Sequence, residues 1–470
     1  MTVKKENKIY QKQAEDIRRL FLHGLEAVAP EKIIRDNVIP DDDILSVCGR
    51  SYALPEDRRI WVFGSGKAAG RMALELERVL GKWIYDGIVI CPYGLKTDTE
   101  RIQQFEASHP VPDLNSLTAT FELMEVASDV RETDLVIYLM SGGSSSLLCM
   151  PHDDLEMEDI RGLYRELLRC GAPIREINRI RKSVSKVKGG KLRPCFGEAM
   201  VEVLAISDVP GNDPADIGSG PLVDDPVGPE EALELLRKYD IDKRVPRAVL
   251  RLLLKPEAPK ANAAAGTGFF SQKPAGRSDD GRTDAGETSA QKYPTHFNVL
   301  ASAEKVAEEI KKGAISLGYH AHVHEGFMTG EARKVAKTIS GEAVDVLVRN
   351  RPVEKPAALI YYGESTVTVK GNGKGGRNQE MALSAVMALE GQHHITFLSG
   401  GTDGRDGETN AAGAVCNAQT GLDARKLGVD PEPYLENNDS WNFFRKTDGL
   451  LQIGVTGNNL MDIQIVLIEK

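Results

Sequence analysis

Five times along this chain a short aliphatic or β-branched run stops at a glycine- or serine-rich loop, and in four of these a helix-patterned stretch follows. Residues 60–63 lead into 64–70, 135–140 into 141–146, 201–206 into 207–221, 366–369 into 371–380, and 395–398 into 399–410. Strands linked through helices cross over and run parallel, and continuous apolar strands need cover on both faces. An α/β architecture with a mainly parallel sheet is therefore expected. At 470 residues, with 41% hydrophobic and 27% charged residues, the chain is long enough for two folded units.

An amphipathic helix is predicted over 10–28, where Ile17, Leu20, Phe21, Leu25 and Val28 fall at helical spacing. Gly, Ala, Ser, Asp and Pro dominate 255–294, which reads as a flexible insertion or linker between residues 1–254 and 295–470. A second α/β unit is expected after it, with strands at 297–300, 319–323, 357–362, 366–369, 395–398 and 463–468.

The net charge of −10 and the lack of long basic runs argue against nucleic acid as a partner. Apolar runs stop after about six residues, far short of the ~20 that span a bilayer, so no membrane segment is expected. Residues 1–16 lack the apolar core of a secretory signal, and six scattered cysteines without a Cys-x-x-Cys pair suggest reduced thiols; a cytoplasmic protein is expected, with a mitochondrial form left open. His320, His322 and His324 share one face of a predicted strand, and a solvated face is the favoured reading over a metal site.

In an open α/β sheet, ligands sit at the carboxyl ends of the strands, which makes the glycine loops the candidates. Gly64, Ser65 and Gly66 let backbone approach a phosphate, and Lys67 adds a point charge; Trp61 and Ala68 stand where a Walker A loop needs Gly and Ser or Thr. Ser141, Gly142, Gly143, Ser144 and Ser145 form a plausible anion nest, though not the glycine–serine spacing of a hydrolase elbow. Residues 178–191 gather six cations, among them Arg181 and Lys191, a local counter-charge in an acidic protein. The loop with Asp208, Asn212 and Asp213 offers hard oxygens, and Asp208 or Asp213 is the candidate metal ligand. Gly376, Arg377, Asn378 and Glu380 open a helix with a composition suited to anions, and Asp403 lies with Arg405 and Asp406 in the loop after 395–398. For each loop a bland structural turn is the competing reading; five together favour a phosphate-handling cleft between domains.

Taken together, Gly64-Ser-Gly-Lys-Ala-Ala69, Ser141-Gly-Gly-Ser-Ser-Ser146, Ser207-Asp-Val-Pro-Gly-Asn-Asp213 with Gly218-Ser-Gly-Pro221, Gly375-Gly-Arg-Asn-Gln-Glu380 and Ser399-Gly-Gly-Thr-Asp-Gly404 resemble the class II glycerate 2-kinases, whose C-terminal part is the MOFRL domain. The resemblance implies an N-terminal Rossmann-like α/β/α sandwich, a C-terminal α/β MOFRL domain and an active-site cleft between them. It implies transfer of the ATP γ-phosphoryl group to D-glycerate with Mg²⁺ or another divalent cation. Lys67 and Arg377 would be the principal catalytic cations and Asp403 a carboxylate for proton or metal handling, with the serine nest and the 207–213 loop lining the glycerate and nucleotide sites.

The product would be 2-phosphoglycerate, with the 3-isomer left open, and the protein a monomer or homodimer. Two rivals remain. One is an NAD(P)H-dependent hydroxypyruvate reductase, suggested by Gly-x-Gly-x-x-Ala at 64–69 but lacking a ribose-binding acid after Ile90. The other is a non-catalytic sugar-acid or nucleotide sensor.

Overall fold

A computed structural model describes residues 3–255 and 294–469; the predicted 255–294 insertion lies almost wholly outside the described residues. The chain opens with a helix, Val3–Ala27, and a short helix, Pro30–Asn37, followed by a small antiparallel sheet of β1 (Val38–Asp41), β2 (Ile44–Val47) and β3 (Arg50–Ala53).

The first large sheet contains β4 (Ile60–Ser65), β5 (Ile84–Pro92), β6 (Ile102–Ala107), β7 (Leu135–Met140), β8 (Met200–Ile206) and β9 (Thr295–Ala301), in the order β6-β5-β4-β7-β8-β9 and all parallel. Every residue of β4 and β7 is buried, as expected of central strands covered on both faces. The chain leaves β4 towards β5 and β6, then returns to β7 on the other side. Strand order reverses between β4 and β7, so the loops after Ser65 and Met140 flank the crevice where open α/β sheets bind ligands.

The second sheet contains β10 (His320–Val323), β11 (Met328–Glu331), β12 (Ala357–Thr366), β13 (Ile395–Gly401), β14 (Gly413–Asn417), β15 (Leu450–Leu451) and β16 (Asp462–Ile468). Its order is β10-β12-β16-β13-β14-β15, with β11 also on β12. Only β10 and β11 run parallel to β12; β16, coming from the chain end, enters antiparallel between β12 and β13. The segments expected at 357–362 and 366–369 form one strand up to Thr366, because β16 and β11 together pair with residues 357–366.

Each half of the sequence lends an element to the other. β9, expected to begin the second unit, is the edge strand of the first sheet, paired with β8. The N-terminal helix lies on the second sheet: Gln13 Nε2 donates to Leu467 O at 3.2 Å, and Thr396 Oγ1 donates to Gln13 Oε1 at 2.9 Å. One continuous core joins Phe21, Val62, Leu139, Ile310, Leu398 and Ile465, tying both sheets together. Burying such area at ~25 cal/mol per Å² makes this seam a main source of cohesion between the halves.

Candidate functional site

At the first crest, two loops are laced side by side. Lys67 N donates to Gly142 O at 2.9 Å and Ala68 N to Ser141 Oγ at 3.0 Å. Gly66 has φ +137°, and a Cβ there would run into the Ser141 hydroxyl, so only glycine allows this approach. Gly64 is similarly tight, with a Cβ meeting Leu139 Cβ at 2.8 Å. Most of the predicted serine nest is turned inward: Ser65 Oγ lies 2.5 Å from Ser144 Oγ, and Ser145 Oγ 2.8 Å from Ser219 Oγ. The amides of Gly142 and Gly143 are left without an acceptor among the described residues, and adjacent free amides are an anion nest.

Lys67 stands over this nest, and its ammonium makes no hydrogen bond or ion pair among the described residues. It faces acids of both sheets. Asp208, packed on Gly142, has its carboxyl raised by burial, with Lys67 pulling the other way and Glu364 adding to the rise. Glu364, near the end of β12, is likewise raised by burial, opposed by Arg377 and Lys67. Beside them a cavity of about 180 Å³ is lined by Asp208, Asn212, Phe327, Tyr362 and Met461.

Arg181 lies deeper on the same crest, on the helix Ile174–Ser183. Only 6% exposed, it stacks on Tyr164 at 4.6 Å and reaches Asn178 Oδ1 at 3.4 Å. His109, which follows β6, sits over Gly143: a Cβ there would meet His109 Cδ2 at 2.9 Å and Lys67 Cγ at 3.4 Å. Burial, Lys67 and Arg181 pull His109 down to about 4, leaving a neutral imidazole at neutral pH.

Three predicted residues are engaged elsewhere. Lys191 Nζ donates to Lys182 O at 2.8 Å and Ser185 O at 2.7 Å, capping a helix end. Asp213 Oδ1 accepts from Ala215 N at 3.0 Å within its own turn, and Oδ2 lies 3.8 Å from Arg175. Glu380 is buried between Arg333 Nε at 2.7 Å and Asn438 Nδ2 at 2.8 Å.

The second crest supplies its own counter-charges. Arg377 grips Asp462 with two bonds, Nε to Oδ2 at 2.6 Å and Nη2 to Oδ1 at 3.0 Å, and lies 3.4 Å from Glu364. Asp462 also accepts from Asn378 Nδ2 at 2.8 Å, and burial raises its carboxyl while Arg377 opposes the rise. Asp403 contributes to that rise, which places it near Asp462; its Oδ1 accepts from Arg405 N at 3.0 Å. The N-terminus of the helix Arg377–Ala388, expected to cradle an outside anion, holds the protein's own Asp406 instead. Asn378 N and Gln379 N donate to its carboxylate at 3.1 and 2.8 Å, and Gly376 leaves room for it. Burial pushes Asp406 up to about 7 despite those bonds.

Sequence reasoning missed His109, Glu364 and Asp462. Asp462, a lone acid just ahead of the apolar run 463–468, was the one detectable signal. Among the described residues no three His, Cys, Asp or Glu side chains converge as a metal cage, and no helix is long and apolar enough to cross a membrane. His324 stacks on Tyr361 with centroids 5.2 Å apart and lies 3.8 Å from Glu342.

Residues 16–254 match a family described as a domain of unknown function, DUF4147, and residues 357–462 match the MOFRL family. The chain is 38% identical to a D-glycerate 2-kinase of Thermotoga maritima, over 97% of this chain and 99% of that one. It is 34% identical to a glycerate 2-kinase of Pyrococcus horikoshii, over 97% and 98%. A crystal structure described as glycerate kinase from Thermotoga maritima superposes with a TM-score of 0.81 at 35% identity, covering 97% of this chain and 100% of that one.

Proposed function

This chain belongs to the glycerate kinase family, and we propose that it transfers the γ-phosphoryl group of ATP to D-glycerate, giving 2-phosphoglycerate, between the crests of its two sheets. The observation that carries the reading is the Lys67 ammonium, without a partner among the described residues, above the Gly142 and Gly143 amides, which likewise have no acceptor among them, and facing acids of both sheets. Phosphoryl transfer spreads negative charge over the equatorial oxygens, so positioned cations and amides do most of the work.

In this reading Lys67 and the two amides hold the transferring group from one side. Arg377, its guanidinium fixed by the two bonds to Asp462 and with Glu364 3.4 Å from Nη2, meets it from the other through Nη1. The glycerate hydroxyl gives its proton to a carboxylate, for which Asp403 is the candidate; its oxygen bonds to phosphorus as the bond to the ADP oxygen breaks.

A divalent cation suits the hard oxygens here, and Mg²⁺ usually takes one or two protein carboxylates beside phosphates and water. Asp208, packed on the nest and without a cationic hydrogen-bond partner among the described residues, is the residue that would hold it; the ion would offset phosphate charge. Asp213, occupied by its turn and Arg175, does not suit this role. The six cysteines are free thiols, which supports a reducing, cytosol-like setting.

The test is ADP release with ATP, Mg²⁺ and D-glycerate, followed by an enolase-coupled step that consumes only 2-phosphoglycerate. Glycerate-dependent ADP with enolase-competent product is expected. Glycerate-dependent ADP without it would move the phosphate to the 3-hydroxyl, and no glycerate-dependent ADP would overturn the kinase reading.

A further inference from the structure

Arg181 is a buried guanidinium with no acid on it. No carboxylate lies within ion-pair distance among the described residues; the guanidinium has the face of Tyr164 and the amide oxygen of Asn178, and burial works against its charge. A second buried cation, Lys188, adds like charge from nearby, its own ammonium donating to Leu148 O at 2.6 Å. Isolated charge inside a protein is costly unless something pairs with it, and such groups recur where a ligand supplies the partner.

The free valences have a direction. Tyr164 covers one face of the guanidinium and Asn178 takes Nη1. Nε is buried without a partner, and Nη2 has none among the described residues. Nε and Nη2 form the side of the fork that a carboxylate binds with two parallel bonds. His109 lies near both cations: Lys67 and Arg181 both act on its ring, and it shares the surroundings of Gly143 with the Lys67 side chain. An anion seated on Arg181 would therefore lie in the neighbourhood of His109 and the phosphoryl-binding lysine.

We infer that Arg181, with the imidazole of His109 beside it, receives the carboxylate of the acceptor acid, and that this pair makes the site select an acid over an uncharged acceptor of the same shape. The inference rests on the kinase reading for the identity of the acid. The triphosphate is the alternative occupant, but its charge is already met by Lys67 and the Gly142 and Gly143 amides, and a planar carboxylate matches the open edge of the fork better than a tetrahedral group.

The test compares wild type, Arg181→Gln and His109→Asn with ATP and either D-glycerate or its neutral amide, alongside calorimetric binding of D-glycerate without nucleotide. In Arg181→Gln the KM for D-glycerate is expected to rise about 100-fold, with the KM for ATP moving less than about threefold, as for a lost charge-assisted bidentate contact. The preference for acid over amide should collapse with it. His109→Asn should raise the glycerate KM about tenfold, again sparing ATP, and stands in if Arg181→Gln fails to unfold cooperatively. A rise in the KM for ATP alone would give the site to the nucleotide, and an unchanged preference for acid over amide would overturn the inference. Wild type that binds D-glycerate in the calorimeter but releases no glycerate-dependent ADP would sink the kinase reading while leaving the carboxylate seat in place; loss of that binding in His109→Asn would then support it, and retention would overturn it.

Discussion

The two crests carry similar residues and handle charge in opposite ways. On the first, among the described residues, Lys67 and Arg181 have no ion pair and two glycine amides have no acceptor. On the second, Arg377 is locked to Asp462, Arg333 to Glu380, and the helix N-terminus to Asp406. The first crest is incomplete without an anion; on the second the fold itself pairs most of the charge. Catalysis of charge transfer needs both, one surface to receive the substrates and one pre-ordered cation that does not rearrange when they arrive.

The comparison breaks most visibly at the two catalytic candidates. Lys67→Ala should lower kcat by about 10³-fold, the scale of a lost transition-state cation, while leaving thermal stability unchanged because its ammonium holds nothing in the fold. A fall in Tm by several degrees would show that the first crest is structural after all. Arg377→Ala should lower kcat by about 10²-fold and also destabilise, by about 2 kcal/mol, since it strands the fully buried Asp462; water around the partly exposed Arg377 keeps the cost below that of a wholly buried pair. Adding Asp462→Asn should restore the stability without the rate. A variant that lost only rate would mean that Asp462 is not held by Arg377 in the way the two bonds indicate.

The same contrast explains what could be read from the chain. Buried parallel strands write themselves as continuous apolar runs, and Leu135–Met140 matches its expectation end to end. Strand direction leaves no such mark: the antiparallel insertion of β16 between β12 and β13 pairs residues some sixty to more than a hundred positions apart along the chain. Likewise β9 could be seen as a strand but not as the edge of the first sheet, because its partner β8 precedes the whole 256–293 stretch. The glycine loops around Lys67 were legible since glycine signals close backbone approach. Glu364 and His109 were not, because each matters through a partner supplied by another element, and Asp462 showed only as a lone acid ahead of an apolar run. Composition favoured an external anion at Gly376 and Arg377, but Asp406, on a different loop, occupies that helix N-terminus.

That self-capped helix gives the second crest a pH signature. Asp406 titrates near 3.9 in an unfolded chain and is pushed up to about 7 in the fold, chiefly by burial, so the native state holds a proton that the unfolded state has released over the interval between. Its stabilising contribution is complete below about pH 4 and is lost as pH rises through about 7. Asp406→Asn keeps an acceptor for one helix amide and removes the titration. Urea unfolding at pH 5 to 8 should therefore show wild type losing stability relative to Asp406→Asn as pH rises, by up to about 1.4 kcal/mol per pH unit. A difference independent of pH would mean that the amides of Asn378 and Gln379 hold Asp406 ionised throughout.

The smallest effect is expected where a cation of the first half already has partners. Lys191 donates to the carbonyls of Lys182 and Ser185, so its charge is satisfied by the end of the helix that carries Arg181. Lys191→Ala should leave the KM for ATP and for D-glycerate within about twofold of wild type and cost about 1 kcal/mol of stability, the scale of hydrogen bonds lost from a half-buried charged donor. Arg181, ten residues earlier in the same basic stretch, is expected to do the reverse, changing the KM for D-glycerate by about two orders of magnitude. What separates them is whether the fold itself provides the acceptor. If Lys191→Ala raised the glycerate KM as far as Arg181→Gln does, the charge of the whole segment would matter and the open edge of one guanidinium would not.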